Sequence, residues 1–392
     1  MKKIAQICFC TIILLASCSN ENDHIETDTG VDFDFSEYFS INFNNLPNYA
    51  NQSIPSYITK DNTVANPITD KGATLGRILF YDKNLSANNT ISCSSCHQQE
   101  NAFSDITNVS TGVNGQTGRH SMRLINTRFS NEEKFFWDER ANSLEEQTTM
   151  PIQDHNEMGF SGENGDQNFN DLINKLENVA YYPQLFEFAF GDQTISEERI
   201  QNALAQFIRS IQSFDSKYDE GRATVTNDGT PFPNFTANEN NGKQLFLAPP
   251  TFDNNGVRVA GGIGCAGCHQ APEFDIDPNS LNNGIIGAAN GNGTDLIVTR
   301  SPSLRDVVKA NGVSNGPFMH IGVSNNLITV LNHYNEINTA GNTNLDPRLT
   351  PGGNPQQLNM TQQEKEDVIA FIQTLSGTDV YTNDKWANPF LD

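Results

Sequence analysis

Past its first sixteen residues the chain has no long apolar run, and it is short of positive charge, with 24 Lys and Arg against 47 Asp and Glu. A formal net charge of −23 excludes nucleic acid as a partner, because a polyanion needs a basic surface. The one apolar run, Ile4 to Ala16, falls short of the ~20 residues a membrane-spanning helix needs. Convincing runs of alternating polar and apolar residues are also missing, which argues against a sandwich or barrel of strands. Seven cysteines occur, and each has a use other than a disulfide.

What is present begins with Lys2 and Lys3 ahead of that apolar run, the pattern of an export signal. Leu15-Ala16-Ser17-Cys18 resembles the lipobox of bacterial lipoproteins, in which cleavage leaves Cys18 as a lipid-modified first residue. A plain secretory signal with an incidental cysteine is the alternative. Residues 1–18 are thus expected to be a lipoprotein signal and 19–50 a flexible acidic tether, since this stretch opens polar, acidic and poor in aliphatic residues. An exported protein anchored through Cys18 would be periplasmic or held at the outer membrane. Cys8 and Cys10 leave with the signal, and Cys93, Cys96, Cys265 and Cys268 remain.

Those four lie in "SCSSCHQQE" (92–100) and "GCAGCHQAP" (264–272). C-x-x-C-H is the attachment signature of c-type haem: two thiols one helical turn apart add to the vinyl groups, and the next imidazole reaches the iron. A zinc site would need the two pairs to meet, usually at short separation, yet about 170 residues part them. A thioredoxin-like redox pair has no use for the histidine. Cys93, Cys96 and His97 are therefore assigned to one covalent haem c, and Cys265, Cys268 and His269 to a second.

Both motifs follow similar segments, "KGATLGRILFYDKNLSANNTI" (71–91) and "TANENNGKQLFLAPP" (236–250), each an amphipathic helix running through a polar loop. This suggests a duplicated small haem domain. Elsewhere the period is helical. Thr194 and Glu197 form a capping box ahead of Ile200, Ala203, Leu204, Phe207, Ile208 and Ile211, and Thr361 and Glu364 open a helix carrying Val368, Phe371, Ile372 and Leu375. The expected fold is mainly α, with two cytochrome c-like haem domains at 51–220 and 221–392, long loops, and one covalent haem c in each.

With "FFWDERANSLEEQTTMPIQDHNEMG" (135–159), "YYPQLFEFAFG" (181–191), "ALAQFIRSIQSFDSKYD" (203–219) and "TRSPSLRDVVKANGVSNGPFMHIG" (299–322), the chain resembles the bacterial dihaem cytochrome c peroxidases from about Ala73 to Leu375. That family includes the dihaem enzymes of methylamine utilisation that oxidise protein tryptophans. The resemblance implies that the first haem is peroxidatic and the second is where electrons enter. It also places Trp137 between them, and makes Gln147 and Glu157 the distal pair of the first. Glu157 would take a proton from the near oxygen of peroxide and deliver it to the far one. Without the resemblance, Trp137 reads as a core aromatic and Glu157 as a solvated carboxylate.

Two departures from the family pattern stand out. The loop "NAFSDITNVSTGVNGQTG" (101–118) lacks the histidine that commonly blocks the first iron, and His120 aligns better with a residue near the inter-domain calcium site. An iron open to peroxide is the expectation. At the second haem the usual methionine ligand is replaced by Tyr334, the ligand type of the tryptophan-oxidising relatives, with Met319 as the other candidate. The resemblance also implies Ca2+ between the domains, partly matched by Asn315-Gly316-Pro317. Function follows as the reduction of hydrogen peroxide to water with electrons from a small periplasmic cytochrome or cupredoxin, and a homodimer is compatible with the resemblance. The alternatives are a dihaem oxidase of protein side chains and a non-catalytic dihaem electron carrier.

Overall fold

The computed structural model describes residues 33–130, 134–289, 291 and 293–391. The signal segment, Cys18 and residues 19–32 lie outside them. The described part is mainly helical, in keeping with the expected class.

The first core is built by six helices: α1 (Asp70–Tyr81), α2 (Cys93–Cys96), α3 (Leu144–Thr149), α4 (Phe169–Glu177), α5 (Tyr181–Phe190) and α6 (Glu197–Ser210). The second is built by α7 (Lys217–Arg222), α8 (Ala237–Leu247), α9 (Leu327–Asn335) and α10 (Gln362–Gln373). Two short antiparallel pairs accompany them, β1 (Pro250–Phe252) with β2 (Arg258–Gly261), and β3 (His269–Gln270) with β4 (Asp275–Ile276). Strands of two to four residues are too short to leave an alternating pattern in the sequence.

One helix crossing recurs in both cores. On α1, Gly76 meets α6 so closely that a Cβ would sit 1.9 Å from the Ala203 carbonyl oxygen, and one turn further Phe80 packs on Phe207 at 5.2 Å. On α8, a Cβ at Gly242 would sit 1.9 Å from the Asp367 carbonyl oxygen of α10, and Phe246 packs on Phe371 at 5.3 Å. Glycine is needed at both points because any side chain would hold the backbones apart. The aromatic pair four residues on fills the widening gap. Each crossing helix is followed by a C-x-x-C-H motif.

Caps set the helix starts. Thr361 and Glu364 form the expected capping box of α10. At α6 the cap is Ser196, whose hydroxyl accepts from Arg199 N, and not the expected Thr194–Glu197 box. Glu197 lies in the first turn, where its charge favours the helix N-terminus.

The boundaries differ from expectation at three places. From Phe33 onward the tether is packed: Phe35, Phe39, Ile41 and Tyr49 belong to the first core, and Phe39 is 2% exposed. Poverty in aliphatic side chains misled here, because aromatic ones do the packing. The first core ends at Ile211 and the second begins at Tyr218, slightly before the expected 220. The last residues then leave the second core. Val380 and Trp386 sit in the first core, Ser40 N donates to Pro389 O (2.8 Å), and Leu391 N donates to Tyr38 O (3.0 Å).

Within the second unit, the fully buried Arg305 pairs with Asp219 of α7 at 3.0 Å and with Glu273 at 3.5 Å. Arg119 bridges Asp138 and Asp295, both at 2.7 Å.

Candidate functional site

Ser92 starts the single turn of α2, with Ser95 Oγ accepting from Ser92 N at 3.1 Å. That turn sets Cys93 and Cys96 one above the other and delivers His97 at its end. All three line a cavity of about 390 Å3. In the second motif, Gly264 at φ +75° turns the chain into the short helix Cys265–Gly267, and His269 lines a cavity of about 110 Å3. None of the four cysteines is in a disulfide.

The two imidazoles are held alike. His97 Nδ1 lies 3.2 Å from Phe103 O, and His269 Nδ1 lies 3.0 Å from Pro302 O. A carbonyl can only accept, so each Nδ1 carries the proton and each Nε2 keeps its lone pair. Burial holds both rings below the usual histidine range, His269 at about 4, so both stay neutral. Two thiols, a neutral imidazole with a free lone pair and an apolar wall form the donor set that covalent haem c requires.

Gln147, at the end of α3, and Glu157, on the loop beyond it, face the first cavity together with Trp137. Gly112 underlies that loop, where a Cβ would come within 2.1 Å of Asn156 O, and Asp154 Oδ1 accepts from Glu157 N at 3.0 Å. The carboxyl of Glu157 is pushed up to about 7, first by burial and then by the Asp154 charge, against the pull of Arg140. The residue is half-buried.

Trp137 lines both cavities. Its indole N–H donates to His120 O at 2.8 Å, and its own carbonyl accepts from Thr299 N (3.0 Å) and Arg300 N (3.1 Å) of the second unit. Its ring lies 6.2 Å from that of His320. Both nitrogens of His120 turn to the loop at 104–107: Nδ1 is 2.9 Å from Thr107 O, and Nε2 is 3.4 Å from Ser104 Oγ.

At the second cavity the structure brings Met319 and Tyr334 to the same wall as alternatives. It also adds Asn283, which sequence reasoning missed; one asparagine of three in the loop "NSLNNGIIG" gives no signal. Arg123 was missed as well. It lines both cavities, and its buried Nε has no hydrogen-bond partner. The Asn315-Gly316-Pro317 segment does lie between the units, with Gly316 against Asp105 O. The Asn315 amide, however, donates to Asp306 O and Tyr381 Oη, both at 2.7 Å. Among the described residues no group of three or more His, Cys, Asp or Glu is placed to hold a metal ion.

The family model described as di-haem cytochrome c peroxidase matches residues 70–226. The methylamine utilization protein MauG of Methylophilus methylotrophus is 29% identical over 80% of this chain and 85% of its own length. The cytochrome c551 peroxidase of Nitrosomonas europaea is 26% identical over 78% of this chain and 80% of its own. A solved MauG-like protein associated with microbial copper homeostasis superposes with a TM-score of 0.64 and 26% identity, covering 86% of this chain and 99% of that one.

Proposed function

The chain belongs to the di-haem cytochrome c peroxidase family, matched over residues 70–226, and from that premise we propose that it reduces hydrogen peroxide to water with electrons from a small cytochrome or cupredoxin. The observation that carries the reading is a carboxyl poised near neutrality, Glu157, in the same cavity as Cys93, Cys96 and His97. Cys93, Cys96 and His97 would hold one haem c, and Cys265, Cys268 and His269 the other. Such a group supplies an iron that takes up and passes on electrons.

The protein's own part is proton handling and positioning. With a pKa of about 7, Glu157 Oε accepts a proton from one peroxide oxygen and returns it to the other at neutral pH, so that the latter leaves as water. Gln147, on the same cavity wall, orients the peroxide by hydrogen bonding. Trp137 spans the two cavities and serves as the bridge for electrons. A pure electron carrier has no need of a poised acid at an open wall.

A second reading, a dihaem oxidase of protein side chains, is favoured by one observation: a tyrosine, Tyr334, faces the second cavity. Export through residues 1–18 and a lipid on Cys18 complete the proposal, with the inter-domain Ca2+ and a homodimer as its untried parts. Among the described residues no helix is long and apolar enough to cross a membrane.

The test is steady-state oxidation of a reduced small cytochrome or cupredoxin by peroxide, catalysed by protein carrying both haems. Two donor electrons consumed per peroxide support the reading. No turnover, with slow oxidation of an added tryptophan-bearing protein instead, would favour the second one.

A further inference from the structure

The second cavity contains a hydrogen-bond arrangement that the reading above leaves unused. Asn283 Oδ1 accepts from Ile285 N at 3.0 Å, and its backbone carbonyl accepts from His333 Nε2 at 2.9 Å. The first bond settles which end of the carboxamide is which, because an N–H must meet an oxygen. The second ties the loop to α9, on which Tyr334 follows His333. With Oδ1 engaged, Nδ2 points toward the cavity wall, where it donates to Tyr334 Oη at 3.2 Å and to Met319 Sδ at 3.4 Å. Met319 sits at φ +69°, a left-handed conformation that a residue other than glycine keeps only when its surroundings hold it there. One amide therefore grips both candidate ligands, Tyr334, which the sequence favours, and Met319.

We propose that Asn283 is a positioning residue that decides which side chain serves as distal ligand of the second haem, and that it selects Tyr334. The inference rests on the two-haem reading above. An N–H donated to a phenolic oxygen stabilises its anionic, ligating form. Donated to a thioether, the same group draws electron density from a neutral sulfur that has no charge to be stabilised, which makes it a poorer donor to a metal, and sulfur gains little in return because it is a weak acceptor. The two hydrogens of the amide thus act in one direction, strengthening Tyr334 as a ligand and weakening Met319. An oxygen anion favours oxidised iron and a low potential, whereas a thioether raises it. Asn283 would in this way set the electron affinity of the site where electrons enter.

The experiment uses the full holoprotein, with two haem mass increments established first. Asn283→Asp keeps the shape and the bond from Ile285 N but replaces the donor with an acceptor, and Asn283→Leu removes both. The wild type should lack the near-infrared charge-transfer band of methionine-ligated ferric haem, and both variants should gain it. In Asn283→Leu the reduction equilibrium of the C-terminal haem alone should shift at least tenfold toward the reduced form, about 59 mV for one electron. Adding Met319→Leu should abolish the new band. A wild type that already shows the band overturns the proposal, as does an Asn283→Leu protein with unchanged spectrum and potential. Fewer than two haem increments overturn the two-haem reading itself, a failure visible in the mass and not in the spectrum.

Discussion

Trp137 donates its indole N–H to the carbonyl of His120 at 2.8 Å, while His120 N donates to His320 O at 2.8 Å. The aromatic ring that faces both cavities is thus hung from a backbone hydrogen bond between the two units. Both sides of the contact are backbone, so the indole is fixed relative to both haem motifs at once. Replacing it with phenylalanine would leave a buried carbonyl without its donor, at a cost of about 1–3 kcal/mol.

Haem attachment is expected at both motifs independently. Mass spectrometry of protein matured with the haem-attachment machinery should show two haem increments, with one lost in Cys93→Ser and one in Cys265→Ser. A wild type carrying one haem or none would contradict the assignment.

Proton transfer is expected to depend on Glu157. Glu157→Gln keeps the shape and removes the acid/base, so peroxide turnover should fall by roughly 10²–10⁴ with haem content unchanged. The ionised carboxylate is the form that accepts the first proton. The wild-type rate with peroxide should therefore rise with pH through a midpoint near 7, and the variant should lose that rise. A flat wild-type profile, or full activity in the variant, would remove Glu157 from the mechanism.

Because both ring nitrogens of His120 face Thr107 and Ser104, the first site should be open in the resting protein. Electron paramagnetic resonance of the oxidised form should show a high-spin signal for one haem, and His120→Ala should leave it in place. A low-spin resting signal that turns high-spin in His120→Ala would make this histidine a blocking ligand.

The helix crossings predict two sensitive glycines. Gly76→Ala and Gly242→Ala each place a methyl 1.9 Å from a backbone carbonyl oxygen that has no rotamer to escape into. Overpacking of this kind costs about 2 kcal/mol or more, a fall in melting temperature on the order of 4–8 °C. Gly118→Ala, where a Cβ meets nothing within 4 Å, should melt like the wild type in the same calorimetric scan.

Features with a period or a fixed spacing were legible in the sequence. The C-x-x-C-H motifs, α1, α8 and α10 all announce themselves, as does the apolar face of α6 from Ile200 to Ile211. Glu157 and Trp137 could be singled out only through resemblance, because a glutamate before methionine and an aromatic beside an aspartate carry no chemistry by themselves. The packing of Phe35 and Phe39 was hidden by their acidic neighbours, since burial on one side of an irregular segment leaves no period to detect. Asn283 shows the limit most clearly. Its role is created by Met319 and Tyr334, 36 and 51 residues away, and nothing local foretells that meeting.

The pairing of Ser40 with Pro389 and of Tyr38 with Leu391 changes what kind of object the second unit is. A domain at the end of a chain hangs by one connection and can swing about it. This one is entered after Ile211 and left before Val380, with the first core gripping the chain on both sides. It is an insertion, attached at two points, and freedom to pivot is reduced to rocking about the line that joins them. On the proposed function, the distance bridged at Trp137 would then be held nearly constant, indifferent to thermal tumbling of one half against the other.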